Sequence, residues 1–309
     1  MTGREEHSPA DRPEPTSARE KAKVIAELLR APAAFSAIGD PLVGAYAGGP
    51  IETRRLFLPL TSVLIYAGGM GLNDWADREI DAEERPERPI PSGQLSAGEA
   101  FRVSTGLIGA GVLVAGLLDG ARGFRRAAVL AATVAAYDTV AKDTPAGAWV
   151  MAACRSLNVL LGAGSCHALA PALTIGAHTV AVTELSKAEV HGAEASLPAG
   201  VRIAVGAVAA AATVTGRSHD KPVLTVLGRA GAAVSAYRYL AKAIPPLNRA
   251  IDEPTGTRIR AAVRANLGAL IPLQAALIAR TGNLIPAAVV AALEPAQQQV
   301  IRRMRGDTT

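Results

Sequence analysis

The feature that most constrains this chain is a succession of long Ala/Gly/Val/Leu runs, most of them close to the roughly 20 residues that cross a bilayer as a helix. Nine such stretches stand out: 33–50, 56–72, 101–119, 126–141, 147–165, 168–183, 200–215, 222–240 and 261–279. A tenth, 284–293, stops at Glu294-Pro295 and is too short to span; it reads as an interfacial helix. Small residues dominate the runs, which lets membrane helices approach closely where no hydrophobic drive acts between them. Strand alternation is absent, so a β-barrel is not expected. The expected fold is all-α: a polytopic membrane bundle of about nine transmembrane helices.

Composition agrees. Half of the 309 residues are hydrophobic and only 19% are charged, below the roughly 25% of ordinary soluble domains. Mean hydropathy is +0.23 despite a charged N-terminus. A very Ala-rich soluble helical bundle is the weaker alternative. The net charge of +5 is too small and too scattered for a nucleic-acid binder, so no nucleic-acid partner is expected. Cys154 and Cys166 are too few for a disulfide scaffold. Three regions follow: a polar, Pro-rich disordered tail over 1–22, a membrane domain over 23–282, and a C-terminal interfacial helix and tail over 283–309. Lys and Arg in 73–100, 142–146, 184–199 and 241–260 favour a cytoplasmic N-terminus, in a membrane read as a bacterial inner membrane.

The most informative stretch is Asn73-Asp74-Trp75-Ala76-Asp77-Arg78-Glu79-Ile80-Asp81. On a continuing helix, Asn73, Asp74, Asp77 and Asp81 fall within an arc of about 100°. Three carboxylates on one face repel one another and require a cation. Hard oxygen ligands suit Mg²⁺, which binds one or two carboxylates together with substrate phosphates. The Pro-rich run Arg85-Pro86-Glu87-Arg88-Pro89 follows, and Arg85 and Arg88 are natural partners for phosphate oxygens.

Three further polar groups interrupt the apolar runs. Tyr137-Asp138 and Lys142 end the fourth, with Asp138 and Lys142 at i, i+4. Arg155 and Asn158 share a face inside the fifth, where an Arg faces a cavity or an acidic partner. Glu184, Lys187 and Glu189 end the sixth. The two Glu lie about 140° apart on an ideal helix, so they reach one ion only if the helix ends between them.

These residues resemble the UbiA superfamily of membrane prenyltransferases. Its N-D-x-x-D-x-x-x-D motif is matched by Asn73, Asp74, Asp77 and Asp81, and the run Arg88 to Gly93 is similar to the segment that follows it. The resemblance covers 30–280. It is closer to the divergent EboC-like subgroup, through Tyr137-Asp138, Lys142, Thr144-Pro145, Cys154-Arg155-x-x-Asn158 and Thr183-Glu184-Leu185-Ser186-x-x-Glu189. Lys142 stands one residue further from Tyr137 than in the common family pattern, and Glu184 and Glu189 replace a D-x-x-x-D motif.

The resemblance implies a Mg²⁺-dependent integral membrane prenyltransferase. A prenyl diphosphate would be the donor, the acceptor an unidentified lipid-soluble or aromatic molecule, and membrane lipid the surroundings. Asp74, Asp77, Asp81, Glu184 and Glu189 would hold Mg²⁺. Lys142 would reach the diphosphate, with Asn73, Arg88, Tyr137, Asp138, Arg155, Asn158 and Lys187 lining the substrate site. The alternatives are a divergent non-catalytic membrane protein that binds lipid diphosphate or a cation and, last, a cation-coupled transporter.

Overall fold

The computed structural model describes residues 17–29, 34–47, 51–214 and 222–306, with side chains at all but a few helix-end positions. The described residues are helical and contain no strand. The helices run α1 (Ala18–Leu28), α2 (Phe35–Tyr46), α3 (Leu58–Ala76), α4 (Arg78–Glu84), α5 (Ala97–Ala136), α6 (Gly147–Gly162), α7 (Leu169–Ser186), α8 (Ser196–Val214), α9 (Pro222–Asp252), α10 (Gly256–Ala279) and α11 (Leu284–Gly306). Five helical stretches are long and apolar enough to cross a membrane: Thr53–Ala76, Ala97–Ala141, Cys166–Ser186, Ser196–Val214 and Gly256–Ala279.

The Ala97–Ala141 stretch holds two of the expected spans. Helix α5 breaks at Asp119 and Gly120, whose φ of 61° and ψ of −151° lie outside helical space. The arms fold back there: a Cβ on Gly123 would strike the Ala115 carbonyl, and one on Gly116 would touch Phe124. Arg55 fixes the turn through Asp119 at 3.3 Å and Glu52 at 2.8 Å. Helix α3 packs against both arms, since a Cβ on Gly68 would meet Ser104 and one on Gly69 would meet Val134.

Two apolar cores result. One joins α3, α5 and α6 through Leu58, Ile65, Leu130 and Leu161. The larger surrounds α10, where every residue from Ala269 to Ala279 is buried against α2, α7, α8, α9 and α11. Helices α2 and α6 join them in near backbone contact. A Cβ on Gly44 would lie 1.9 Å from the Val159 carbonyl oxygen, and one on Gly162 the same distance from that of Pro41. This is the close approach that small residues permit in membranes.

Three expected boundaries are corrected. Residues 17–22 are not tail: Ser17 and Glu20 form a reciprocal capping box that starts α1, and Val24 and Leu28 are buried. Residues 1–16 lie outside the described part. Helix α9 runs on to Asp252 through Pro245 and Pro246, reducing the expected 241–260 loop to a few residues before α10. Helix α11 does not stop at Glu294-Pro295 but continues to Gly306. Glu294 receives Lys242 at 2.6 Å and Arg238 at 3.1 Å, which ties the middle of α11 to α9.

At Gly120 the demand is one of backbone conformation alone, because nothing lies within 4 Å of a Cβ added there. Gly120→Ala is expected to cost about 1–3 kcal/mol and to lower the melting temperature in detergent. Gly109→Ala, equally open but helical, should be neutral or slightly stabilising. Equal melting temperatures for the two variants would contradict the assigned turn.

Candidate functional site

The acidic face forms where α3 gives way to α4. The helical hydrogen bonds persist through the junction: the Asp77 amide donates to the Asn73 carbonyl at 2.9 Å and the Asp81 amide to the Asp77 carbonyl at 2.8 Å. Asn73, Asp74, Asp77 and Asp81 therefore stay on one side, as their spacing requires. Asp74 and Asp81 are buried and Asp77 is partly open. Asn73 Nδ2 donates to Asp77 Oδ2 at 3.2 Å.

Cations from two other segments enter this face. Arg88 Nη1 reaches Asp74 Oδ1 at 3.1 Å and also bonds Asp81 Oδ2. Its loop is held by bonds from the Ser92 amide to the Arg88 carbonyl at 2.9 Å and from the Leu95 amide to the Pro89 carbonyl at 3.0 Å. Arg85 Nη1 lies 3.7 Å from Asp81. Lys142 Nζ pairs with Asp77. With these cations interleaved, no three acidic, His or Cys side chains among the described residues lie close enough together to hold a metal ion. The donor chemistry nevertheless fits Mg²⁺ once those cations turn aside, because carboxylate oxygens are the hard ligands it takes.

Lys142 owes its position to a π-helical turn over Tyr137–Ala141, closed by the Lys142 amide donating to the Tyr137 carbonyl at 3.0 Å. A π turn takes in one residue more than an α turn. That accounts for the additional residue between Tyr137 and Lys142. Asp138 and Lys142 stand at i, i+4 in the sequence, and Lys142 makes its ion pair across to Asp77. Asp138 is buried beside Gly69.

Two cavities with shared lining residues lie inward of this face along α3, the nearer α3 residue on both being Met70, one turn before Asp74. The larger, about 1020 Å³, is lined by residues including Tyr66, Met70, Tyr137, Arg155, Thr183 and Glu189. The smaller, about 510 Å³, has an apolar wall of Ile65, Leu130 and Val134 and includes Asp138, Cys154 and Asn158. Tyr66, Met70, Tyr137, Met151 and Arg155 border both.

Arg155 is anchored from outside the expected set. Its Nε lies 3.1 Å from Asp40 Oδ2 and its Nη2 donates to the Ser36 carbonyl at 2.9 Å. Asp40 is fully buried in α2 and also accepts from Asn158 Nδ2 at 3.0 Å and Gln274 Nε2 at 2.6 Å. Gln274 Nε2 lies 2.7 Å from the Ser36 carbonyl as well. One carboxylate thus joins α2, α6 and α10. Asp40 and Gln274 were missed, although a lone acid and a lone carboxamide inside apolar runs are a signal of their own. His178 lines the larger cavity with Nδ1 2.9 Å from Tyr239 Oη and Nε2 3.2 Å from the Asn266 carbonyl. Both ring nitrogens are engaged, leaving no free lone pair for a base.

The expected second acidic clamp is split. Helix α7 ends at Ser186, between the two glutamates. Glu189 turns into the larger cavity, while Glu184 faces outward with Lys187 at 2.8 Å, and neither of that pair lines the cavity. Burial pushes the Glu189 carboxyl above its ordinary range, against the pull of Arg260, Arg264 and Arg85 around it.

The UbiA prenyltransferase family model matches residues 33–185, the stretch that contains the acidic face, the π turn and Arg155. A digeranylgeranylglyceryl phosphate synthase of Methanothrix thermoacetophila is 38% identical over 99 residues, 31% of this chain and 37% of that protein. The chain spans about a third of the length of the first curated relatives it matches. Two solved structures share the fold, each at TM-score 0.55 and 17% identity. One, described as a digeranylgeranylglyceryl phosphate synthase, is matched over 86% of this chain and 99% of its own; a UbiA homolog from Aeropyrum pernix K1 is matched over 80% and 96%.

The two ion pairs around Arg155 and Lys187 predict opposite outcomes. Asp40→Ala leaves a buried guanidinium uncompensated and should cost about 3–5 kcal/mol. Glu184→Ala breaks an exposed pair and should stay within about 0.5 kcal/mol. Denaturation of both variants in detergent checks this; comparable losses would refute the hub at Asp40.

Proposed function

We propose that this protein transfers a prenyl group from a prenyl diphosphate to a lipid-soluble acceptor at the cytoplasmic end of the bundle, a reading supported by the match of residues 33–185 to the UbiA prenyltransferase family. The observation that carries the reading is the acidic face of Asp74, Asp77 and Asp81, interleaved with Arg88 and Lys142 and set one helical turn beyond Met70, which lines both cavities.

In this reading Asp74, Asp77 and Asp81 would hold Mg²⁺, with Glu189 as the single acid across the cavity. The ion would supply Lewis-acid stabilisation of the departing diphosphate. Arg88 and Lys142 already stand within bonding distance of the carboxylates, so the same groups would turn to phosphate oxygens as donor enters. Asn73 orients Asp77 through its side-chain amide. Once the allylic C–O bond ionises, the cation needs surroundings that exclude water. Ile65, Leu130 and Val134 provide such a wall, and Tyr66, Met70 and Tyr137 border both chambers. Arg155 and Asn158, held by Asp40, keep the polar side of that border in place. The acceptor's electron-rich centre would enter from the larger cavity.

The acceptor's class is open to the same logic. The named relatives are archaeal synthases of a glycerol-based lipid phosphate, which supports a lipid acceptor over a small soluble one. Cytoplasmic orientation is supported by the gathering of Arg78, Arg85, Arg88, Lys142, Lys187, Arg258 and Arg260 at the site's end of the bundle.

The test is diphosphate release from a panel of prenyl diphosphates, using purified protein in nanodiscs with a lipid extract as acceptor source. Release should require Mg²⁺ and vanish with EDTA. Asp77→Ala should reduce it on the order of 100-fold, the loss typical of removing a group that stabilises developing charge. A folded protein that binds donor and releases no diphosphate across the panel would favour the non-catalytic lipid-diphosphate binder, for which the split second acidic motif is the supporting feature.

A further inference from the structure

Helix α10 begins with an arrangement that works against itself. Thr255 caps it, its Oγ1 accepting from the Arg258 amide, and Arg258, Arg260 and Arg264 fall within its first nine residues. A helix N-terminus carries partial positive charge and disfavours cations. Arg260 and Arg264 stand at i, i+4, where like charges repel. Only Arg258 is paired conventionally, with Glu253 at 3.2 Å.

The other two face Glu189. Arg260 Nη2 donates to the Glu189 carbonyl at 3.2 Å, and its Nε lies 3.8 Å from the Glu189 carboxylate. Arg264 and Arg85 also act on that carboxylate. Arg85 lies 3.7 Å from Asp81, so its charge acts on the acidic face as well as on Glu189. Arg260 is thus the guanidinium in contact with the one carboxylate that lines the larger cavity, and Arg264 and Arg85 add positive charge from further out. On α10 itself, Val263, Leu267 and Leu270 line that cavity. Arg260 and Arg264 continue the stripe of Leu267 toward the helix start, and hence toward the cavity mouth.

We propose that Arg260 and Arg264, with Arg85, form a second anion subsite at the mouth of the larger cavity, built to take a phosphate group. Guanidinium forks bind phosphate oxygens in pairs, and a phosphate here would offset the repulsion that Glu189 alone leaves. The expected second acidic clamp has become a predominantly cationic one. The phosphate has two possible sources, the outer phosphate of the diphosphate donor or a phosphate carried by the lipid acceptor. The identity of these ligands rests on the prenyl-transfer reading; the presence of the subsite does not.

Titration calorimetry on the full chain in detergent separates the cases, with inorganic pyrophosphate and glycerol phosphate as probes. Proteins to compare are wild type, Arg258→Gln, Arg264→Gln and the double variant Arg260→Gln/Arg264→Gln, each checked for an unchanged melting temperature. The double variant should bind at least one probe ten or more times more weakly than wild type, with Arg264→Gln intermediate and Arg258→Gln unchanged. Weakening for pyrophosphate alone assigns the subsite to the donor; weakening for glycerol phosphate alone assigns it to the acceptor. Wild type that binds neither probe, or a double variant within twofold of wild type for both, overturns the subsite. Because turnover is not needed, a wild type that releases no diphosphate but shows this pattern would sink prenyl transfer and leave the subsite standing.

Discussion

Three carboxylates on one face of a helix, one turn beyond the residues that line the cavities, cannot stand without positive charge, and the rest of the site is arranged around supplying it. The Pro-rich loop after α4 delivers Arg88 between Asp74 and Asp81. The π turn at the end of α5 delivers Lys142 to Asp77. Neither segment has another evident reason for its shape. A regular α turn would carry Lys142 about 100° further round the axis, away from its present direction, and a loop without prolines would leave Arg88 free to reach water. These cations are held by exchangeable bonds rather than by packing. Under the proposed prenyl transfer, a diphosphate with its own cation would take over both halves of the arrangement.

The membrane imposes a second constraint, met at Asp40. In a medium without water a buried acid must find all its partners within the protein. Asp40 finds Arg155, Asn158 and Gln274, which fastens α2, α6 and α10 at one point. The backbone contact of α2 with α6 at Gly44 and Gly162 brings those groups within reach. Arg155 is thereby fixed on the border between the two cavities. The wall of the site and the packing of the bundle are therefore one network, and its charge is spent internally rather than on ligand.

Much of this was legible in the sequence, for identifiable reasons. The apolar runs gave the helices because a bilayer permits little else, and even the break between 101–119 and 126–141 fell close to the observed turn at Asp119-Gly120. The acidic face was legible because the spacing of Asn73, Asp74, Asp77 and Asp81 has a fixed angular meaning on any helix. Hydropathy could not show that α9 continues to Asp252 or that α11 passes Glu294, because the first depends on helix continuity through Pro245-Pro246 and the second on Lys242 and Arg238. Pairings between distant segments were hidden altogether. Arg155 was expected to face a cavity or an acid, but nothing local points to Asp40, 115 residues away. Glu184 and Glu189 looked equivalent until the end of α7 turned one outward and one in.

The central claim is that the acidic face is a cation-dependent diphosphate site whose internal cations yield to ligand. Its most direct test is calorimetric binding of a non-hydrolysable prenyl thiodiphosphate to wild type and to Asp74→Asn/Asp81→Asn, each with Mg²⁺ and with EDTA. The account predicts tight binding only by wild type with Mg²⁺, weakened at least tenfold by either chelation or substitution. Affinity that is the same in all four conditions would place the diphosphate elsewhere and contradict it.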